Sequence, residues 1–307
     1  MMKQRFGGVF TALVTPFNSN DELDKNAFSE LLARQKVSGI NGIVVAGSTG
    51  ESACLSLEEK KALVKMAKAE TSLPIVAGAG SNCTKDAVLA HQIMADVGAD
   101  TTLQVVPYYN KPTQKGLFEH FSAIAKSSSL PMILYNVPGR TGIDIHPETV
   151  LELALAHENI IGIKDANTDM ERLSIMFHKL SARPDFLVLC GEDGAFLPFL
   201  SQGGDGIISV VSHIAAKEML AIYSTFQNGG DLIYAQKIAM KLSGLCKLMF
   251  THPNPIPIKT VLALMGIIEK NFRLPLCPMS KADEEILVEA LSEFKFLQSF
   301  KSAGFLQ

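Results

Sequence analysis

The sequence has no surplus of either charge: 28 Lys and Arg face 31 Asp and Glu, a formal net charge of −3 over 307 residues. With neither a basic face nor an acidic tail, nucleic acid is not an expected partner, and a small-molecule substrate is the default. Its five cysteines, Cys54, Cys83, Cys190, Cys246 and Cys277, are scattered and form no C-x-x-C pair, which argues against both a disulfide framework and a zinc site. The seven histidines, His91, His120, His146, His157, His178, His213 and His252, contain no H-x-x-x-H or H-E-x-x-H arrangement, so no metal is expected in the chemistry. No run of about 18 apolar residues occurs, and Met1 to Phe6 leads into polar, glycine-bearing sequence. A cytoplasmic chain without a membrane partner is the expectation.

What the sequence has instead is alternation. Apolar, β-rich runs at 9–16, 42–47, 74–80, 101–107, 131–137, 160–165, 186–191 and 206–211 are each followed by a stretch of helical periodicity, such as 57–70 and 84–97. Ser56 stands three residues before Glu59 as a capping box would place it, and Thr84 reads as a second N-cap. Repeated strand and helix units with right-handed crossovers close most readily into a (β/α)8 TIM barrel, expected over residues 1–229; an open doubly wound sheet is the alternative. After Gly230 the pattern is helical only, at 232–249, 258–271 and 282–299. This predicts a C-terminal α-helical extension, residues 230–307, packed on the barrel.

Barrel chemistry sits at the carboxyl ends of the strands, and these are polar here. The sixth run, Ile160-Ile161-Gly162-Ile163-Lys164-Asp165, ends an apolar segment on an amine. Desolvation disfavours an ammonium and can turn a lysine into a nucleophile toward a carbonyl, whereas the plainer alternative is a strand-end lysine snorkelling to water. Tyr135 ends the preceding strand and could move the protons that imine chemistry requires, or could simply cap the barrel with its hydroxyl held by backbone. Thr49 and Tyr109, with Ser48 beside them, could extend a hydroxyl chain. Arg140, after Pro138 and Gly139, suits bidentate binding of a carboxylate, although a loop arginine is more often merely solvated. The turn Gly47-Ser48-Thr49-Gly50-Glu51 could hold a carboxylate on N–H groups and hydroxyls, yet lacks the Walker and dinucleotide spacings. Glu192 and Asp193 are read as capping acids rather than catalytic ones.

Several stretches taken in order resemble the class I, Schiff-base-forming pyruvate aldolases, the superfamily that includes the N-acetylneuraminate lyases. They are Gly8-Val9-Phe10-Thr11-Ala12-Leu13-Val14-Thr15-Pro16-Phe17, the glycine turn through Ser52, Pro107-Tyr108-Tyr109-Asn110-Lys111-Pro112, Tyr135-Asn136-Val137-Pro138-Gly139-Arg140-Thr141, Gly162-Ile163-Lys164 and Asn254-Pro255-Ile256-Pro257-Ile258-Lys259. The resemblance covers nearly the whole chain. It implies that Lys164 forms an imine with pyruvate and that Tyr135 donates and accepts the proton. It also implies that Thr49 and Tyr109 complete the relay, Tyr109 reaching across a subunit interface. Ser48 and Thr49 would hold the pyruvate carboxylate, Arg140 the carboxylate of L-aspartate-4-semialdehyde, and Gly191 and Ile208 would contribute backbone.

The same resemblance implies 4-hydroxy-tetrahydrodipicolinate and water as products on the diaminopimelate route to lysine. It implies no cofactor beyond the covalent imine, and a homotetramer built as a dimer of dimers. Ser48 departs from the threonine common in this branch, which keeps open an aldolase acting on N-acetylneuraminate or 2-keto-3-deoxy-gluconate; Arg140 argues against that alternative. Ser52, Ala53, Asn82, Asp86 and Tyr108 fit the inhibitory lysine site of some members, but Leu57 and Lys60 stand where sensitive enzymes often carry histidines. Weak or absent inhibition by lysine is therefore expected.

Overall fold

The computed structural model describes residues 2–294. Eight strands, β1 (Gly8–Ala12), β2 (Gly42–Val45), β3 (Ile75–Gly78), β4 (Thr101–Val105), β5 (Met132–Asn136), β6 (Ile160–Asp165), β7 (Leu187–Cys190) and β8 (Gly206–Ser209), form a closed barrel in sequence order. Every neighbouring pair is parallel, and β1 closes on β8 through Gly8 opposite Gly206 and Thr11 opposite Ser209. Around it run α1 (Met2–Phe6), α2 (Lys25–Ser38), α3 (Leu57–Glu70), α4 (Thr84–Asp96), α5 (Gln114–Ser127), the single turn α6 (Pro138–Thr141), α7 (Pro147–Ala156), α8 (Met170–Leu180), α9 (Phe196–Ser201) and α10 (Ser212–Gln227). The expected barrel is the fold observed.

Two apolar cores follow from strand alternation. Outward-facing side chains such as Ile43, Leu134 and Ile163 pack with the helices, whereas Phe10, Val44, Val76, Leu103, Ile133, Tyr135 and Ile208 fill the interior. Phe6, at the end of α1, joins the interior cluster and is 1% exposed. That helix carried no expectation, because five residues are too few to display a helical period.

The first run was expected to be extended over 9–16, but β1 ends at Ala12. Leu13, Val14 and Phe17 stay buried, and Leu13 N–H still donates to the Val44 carbonyl (2.9 Å) before the chain leaves the ladder toward Pro16, which has no N–H to donate. An apolar run records burial, and burial continues here past the strand. The Ser56–Glu59 capping box is present, with Ser56 N–H on the Glu59 carboxylate (2.8 Å) and Glu59 N–H on the Ser56 hydroxyl (3.2 Å). Thr84 is instead the first residue of α4 after Cys83, and its hydroxyl meets His120 Nδ1 at 2.9 Å rather than capping the helix.

Beyond Gly230 come α11 (Leu232–Leu248), α12 (Ile256–Leu264) and α13 (Lys281–Ser292). The helix expected over 258–271 begins two residues earlier and ends near Gly266, whose φ of +69° lies in the left-handed region that ends helices. The last part of the helix expected over 282–299 lies outside the described residues.

Candidate active site

A β-bulge aims the amine. Met132 on β5 pairs with Ile160 on β6, but the next residue, Ile133, pairs with Gly162, so Ile161 is extra on its strand. Ile161 faces the interior and Ile163 faces the helices, so a strand without the bulge would carry Lys164 outward or Ile161 outward, not both inward. Gly162 permits the irregularity: a Cβ there would lie 2.6 Å from the Leu187 Cβ and 2.7 Å from the Leu187 carbonyl oxygen. Lys164 thus stands beside its register partner Tyr135, with Nζ 4.4 Å from the centroid of the phenol ring and the residue 7% exposed. No carboxylate lies within ion-pair distance of it among the described residues.

The glycine turn sits after β2. Gly50 N–H donates to Gly47 O (3.0 Å), Glu51 N–H to Ser48 O (3.1 Å), and Thr15 Oγ1 to Gly50 O (2.7 Å). Ala46 at φ +55° and Glu51 at φ +54° hold left-handed backbone at either end of the turn. β3 accommodates this with a glycine, since a Cβ on Gly78 would lie 2.0 Å from the Ala46 carbonyl oxygen. Glu51 is anchored in turn by Lys259 of α12, Nζ to Oε1 2.5 Å with neither side chain exposed, and it accepts Arg273 N–H at 3.1 Å.

A cavity of about 350 Å³ opens at this end of the barrel, walled by Ser48, Tyr135, Arg140 and Asn254, with Tyr108 and Lys60 also on its lining. Thr49, buried, meets it through Asn254: the Asn254 side-chain N–H donates to Thr49 Oγ1 (2.9 Å), and the Asn254 carbonyl accepts from an Arg140 guanidinium N–H (3.0 Å). Gly191 N–H donates to Asp165 O (2.7 Å), and a Cβ on it would press on Ala166 at 2.8 Å, so it lies against the end of β6. Ile208 belongs to the interior cluster that contains Tyr135. Lys164, Gly191 and Ile208 are not themselves on the cavity lining, Lys164 meeting it through Tyr135, and Tyr109 points away: it is 89% exposed, at φ +75°.

The acids after β7 divide their work. Asp193 is buried, and its Oδ2 accepts the N–H groups of Val210 (3.0 Å) and Val211 (3.1 Å), so it caps the loop after β8 rather than its own turn. Burial raises the pKa of both Glu192 and Asp193, and the Lys164 charge opposes that rise in each. Behind the lysine, on the helix side, Asp165 bonds Asn136 (2.9 Å), Asn167 N–H (2.9 Å) and the Arg172 guanidinium. Among the described residues no group of three or more His, Cys, Asp or Glu is disposed to hold a metal ion, and no helix is long and apolar enough to cross a membrane. Reasoning from sequence missed Asn254, Lys259 and the bulge; the Asn-Pro-Ile-Pro-Ile-Lys segment was the available signal for the first two.

The dihydrodipicolinate synthetase family model matches residues 5–294. A 4-hydroxy-tetrahydrodipicolinate synthase of Oleidesulfovibrio alaskensis is 44% identical over 290 residues, 94% of this chain and 98% of that protein. One from Endomicrobium trichonymphae is 43% identical over 295 residues, covering 95% of this chain and 100% of its own. Among solved structures, the dihydrodipicolinate synthase of Thermotoga maritima superposes with a TM-score of 0.92 at 39% identity, over 95% of this chain and 99% of that one. That of Cyanidioschyzon merolae with lysine bound also gives 0.92, at 40% identity, over 95% and 99%.

Proposed function

The chain belongs to the dihydrodipicolinate synthetase family, and from that premise we propose how its own residues carry out the family's reaction. The enzyme is a lyase that condenses pyruvate with L-aspartate-4-semialdehyde to 4-hydroxy-tetrahydrodipicolinate and water, a step toward diaminopimelate and lysine. Lys164 Nζ attacks C2 of pyruvate, and loss of water from the carbinolamine leaves an iminium. Removal of a C3 proton gives the enamine, whose C3 bonds to the aldehyde carbon of the second substrate. The substrate's own amino group then adds to C2 and displaces Lys164, which closes the ring and frees the enzyme. Water leaves once, at the first step, so the sum balances.

The single observation that carries this reading is the Lys164 amine against the Tyr135 ring, buried and free of a carboxylate partner among the described residues. A phenol at that position is suited to pass the protons of dehydration and enamine formation. Ser48 and Thr49 offer hydroxyls for the pyruvate carboxylate, and Arg140 on the same cavity offers a planar fork for the carboxylate of the semialdehyde. Gly191 and Ile208 would contribute backbone to the pocket. Tyr109, outward on its left-handed backbone, suits work in a neighbouring copy, as the tight dimers of the proposed homotetramer would provide. Five cysteines without a disulfide among the described residues suit a cytoplasmic enzyme.

Borohydride reduction in the presence of pyruvate, followed by peptide mass spectrometry, tests the mechanism: a reduced pyruvate adduct is expected on Lys164, and none there overturns it. Turnover with aspartate semialdehyde, followed through the next reductase of the route, tests the acceptor. Activity confined to sugar-derived aldehydes would instead select the N-acetylneuraminate or keto-deoxy-gluconate type of aldolase.

A further inference from the structure

Asn254 opens the Asn254-Pro255-Ile256-Pro257-Ile258-Lys259 segment, and the chemistry above leaves that segment without a role. We propose that Asn254 is a positioning residue that fixes the direction of the Thr49 hydroxyl and braces Arg140, coupling the two carboxylate-binding groups of the site. The inference rests on the proposed Schiff-base reading.

The geometry is specific. Asn254 is 7% exposed and lines the cavity, and its Nδ2–H donates to Thr49 Oγ1 at 2.9 Å. A hydroxyl that accepts from one side keeps its own hydrogen for an acceptor elsewhere, so this bond turns the Thr49 proton away from Asn254 and leaves it for the substrate carboxylate. The main chain braces the arginine, because Asn254 O accepts from the Arg140 guanidinium at 3.0 Å and so restrains a side chain otherwise on an exposed turn. Four residues on from Pro255, and past Pro257, Lys259 Nζ grips Glu51 Oε1 at 2.5 Å. The segment therefore holds the glycine turn at Thr49 and at Glu51 alike. Asn254 Oδ1 has no hydrogen-bond partner among the described residues, so the one side-chain bond the amide makes to the protein is the one it donates to Thr49.

The test is a double-mutant cycle on the full-length enzyme with Thr49→Val, Asn254→Ala, the pair together, and the isosteric Asn254→Asp. The pyruvate–borohydride adduct counts active sites, and thermal melts report folding. Asn254→Ala is expected to lower kcat per active site about fivefold to tenfold, the worth of one oriented hydrogen bond. In the Thr49→Val background it should cost nothing further. KM for the semialdehyde should hold nearly constant in Asn254→Ala, because Arg140 is held by the backbone carbonyl, which the substitution retains.

Asn254→Asp keeps the shape but, when ionised, can only accept, and so draws the Thr49 proton toward itself. Its kcat should recover on acidification relative to wild type, as the carboxyl O–H regains the ability to donate. A merely structural residue would shift the melting temperature without producing that pH profile or that non-additivity. Unchanged kcat in Asn254→Ala, losses that multiply in the double variant, or an Asn254→Asp profile parallel to wild type would each overturn the proposal. If wild type itself gives no Lys164 adduct, the mechanism fails instead, so the two failures are distinguishable.

Discussion

Three lysines of this chain have lost much of their water, and their surroundings set them on different courses. Lys164 has an aromatic ring beside it and no acid within ion-pair distance among the described residues, which suits its nitrogen to the imine proposed above. Lys259 is fully buried but ion-paired to Glu51 and stacked near Phe17 (4.5 Å) and Phe272 (4.9 Å), so its charge is structural. Lys60 is half-buried on the cavity wall; burial lowers its pKa, and no carboxylate within ion-pair distance compensates among the described residues. A free L-lysine entering beside it would bring a second ammonium. Two such charges about 6 Å apart repel by on the order of 3 kcal/mol near a protein surface, roughly a hundredfold in affinity. Initial rates measured against L-lysine should therefore stay flat through the micromolar range, and strong inhibition there would defeat the argument.

At the scale of elements, α12 is fastened to the active-site turn by charge. Lys259→Met leaves Glu51 buried without its counter-ion, which costs about 3–5 kcal/mol, whereas pairing it with Glu51→Gln removes the stranded charge and should recover part of that loss. Urea titration of wild type, single and double variants measures this; a single variant as stable as wild type would mean the pair contributes nothing. These long-range links are also where sequence reasoning ended. The places of Lys164, Tyr135, Ser48, Thr49 and Arg140 toward the carboxyl end of the barrel were legible because each stands near the end of a strand or in the following loop, a property of local pattern. Asn254 and Thr49 are 205 residues apart, and no local period joins them. The β6 bulge was equally hidden. Ile160-Ile161-Gly162-Ile163 is apolar throughout, and a continuous apolar run does not say which residues face inward. Closing the barrel settles that, through the close approach of Gly162 to Leu187.

Across the whole molecule, the layer between barrel and helices carries a pH dependence that composition alone does not disclose. His91, His120 and His213 are all buried there, and burial holds each pKa at about 4. His91 Nδ1 pairs with Thr102 on β4 and His120 Nδ1 with Thr84 on α4, while Nε2 of each is buried without a hydrogen-bond partner among the described residues, so a second proton there meets no acceptor; His213 donates from Nδ1 to Val210 O and accepts Val14 N–H on Nε2, which leaves it no free nitrogen. In the unfolded chain these groups titrate near 6.5. Between about pH 6.5 and 4 the unfolded state thus binds more protons than the native one, and stability falls as pH falls through that window. Burial raises the Glu192 and Asp193 carboxyls, which favour the native state on acidification and partly mask the trend. A difference measurement removes the mask. His91→Leu deletes one histidine from an apolar setting, while Thr102 keeps a bond from Gln104 Nε2 (3.0 Å). The carboxyl contributions are common to both proteins, so wild type should lose about 2–3 kcal/mol more than the variant between pH 6.5 and 4. Denaturant melts at intervals across that range would show it, and parallel stability curves for the two proteins would mean that His91 accepts its proton in the native state at little cost.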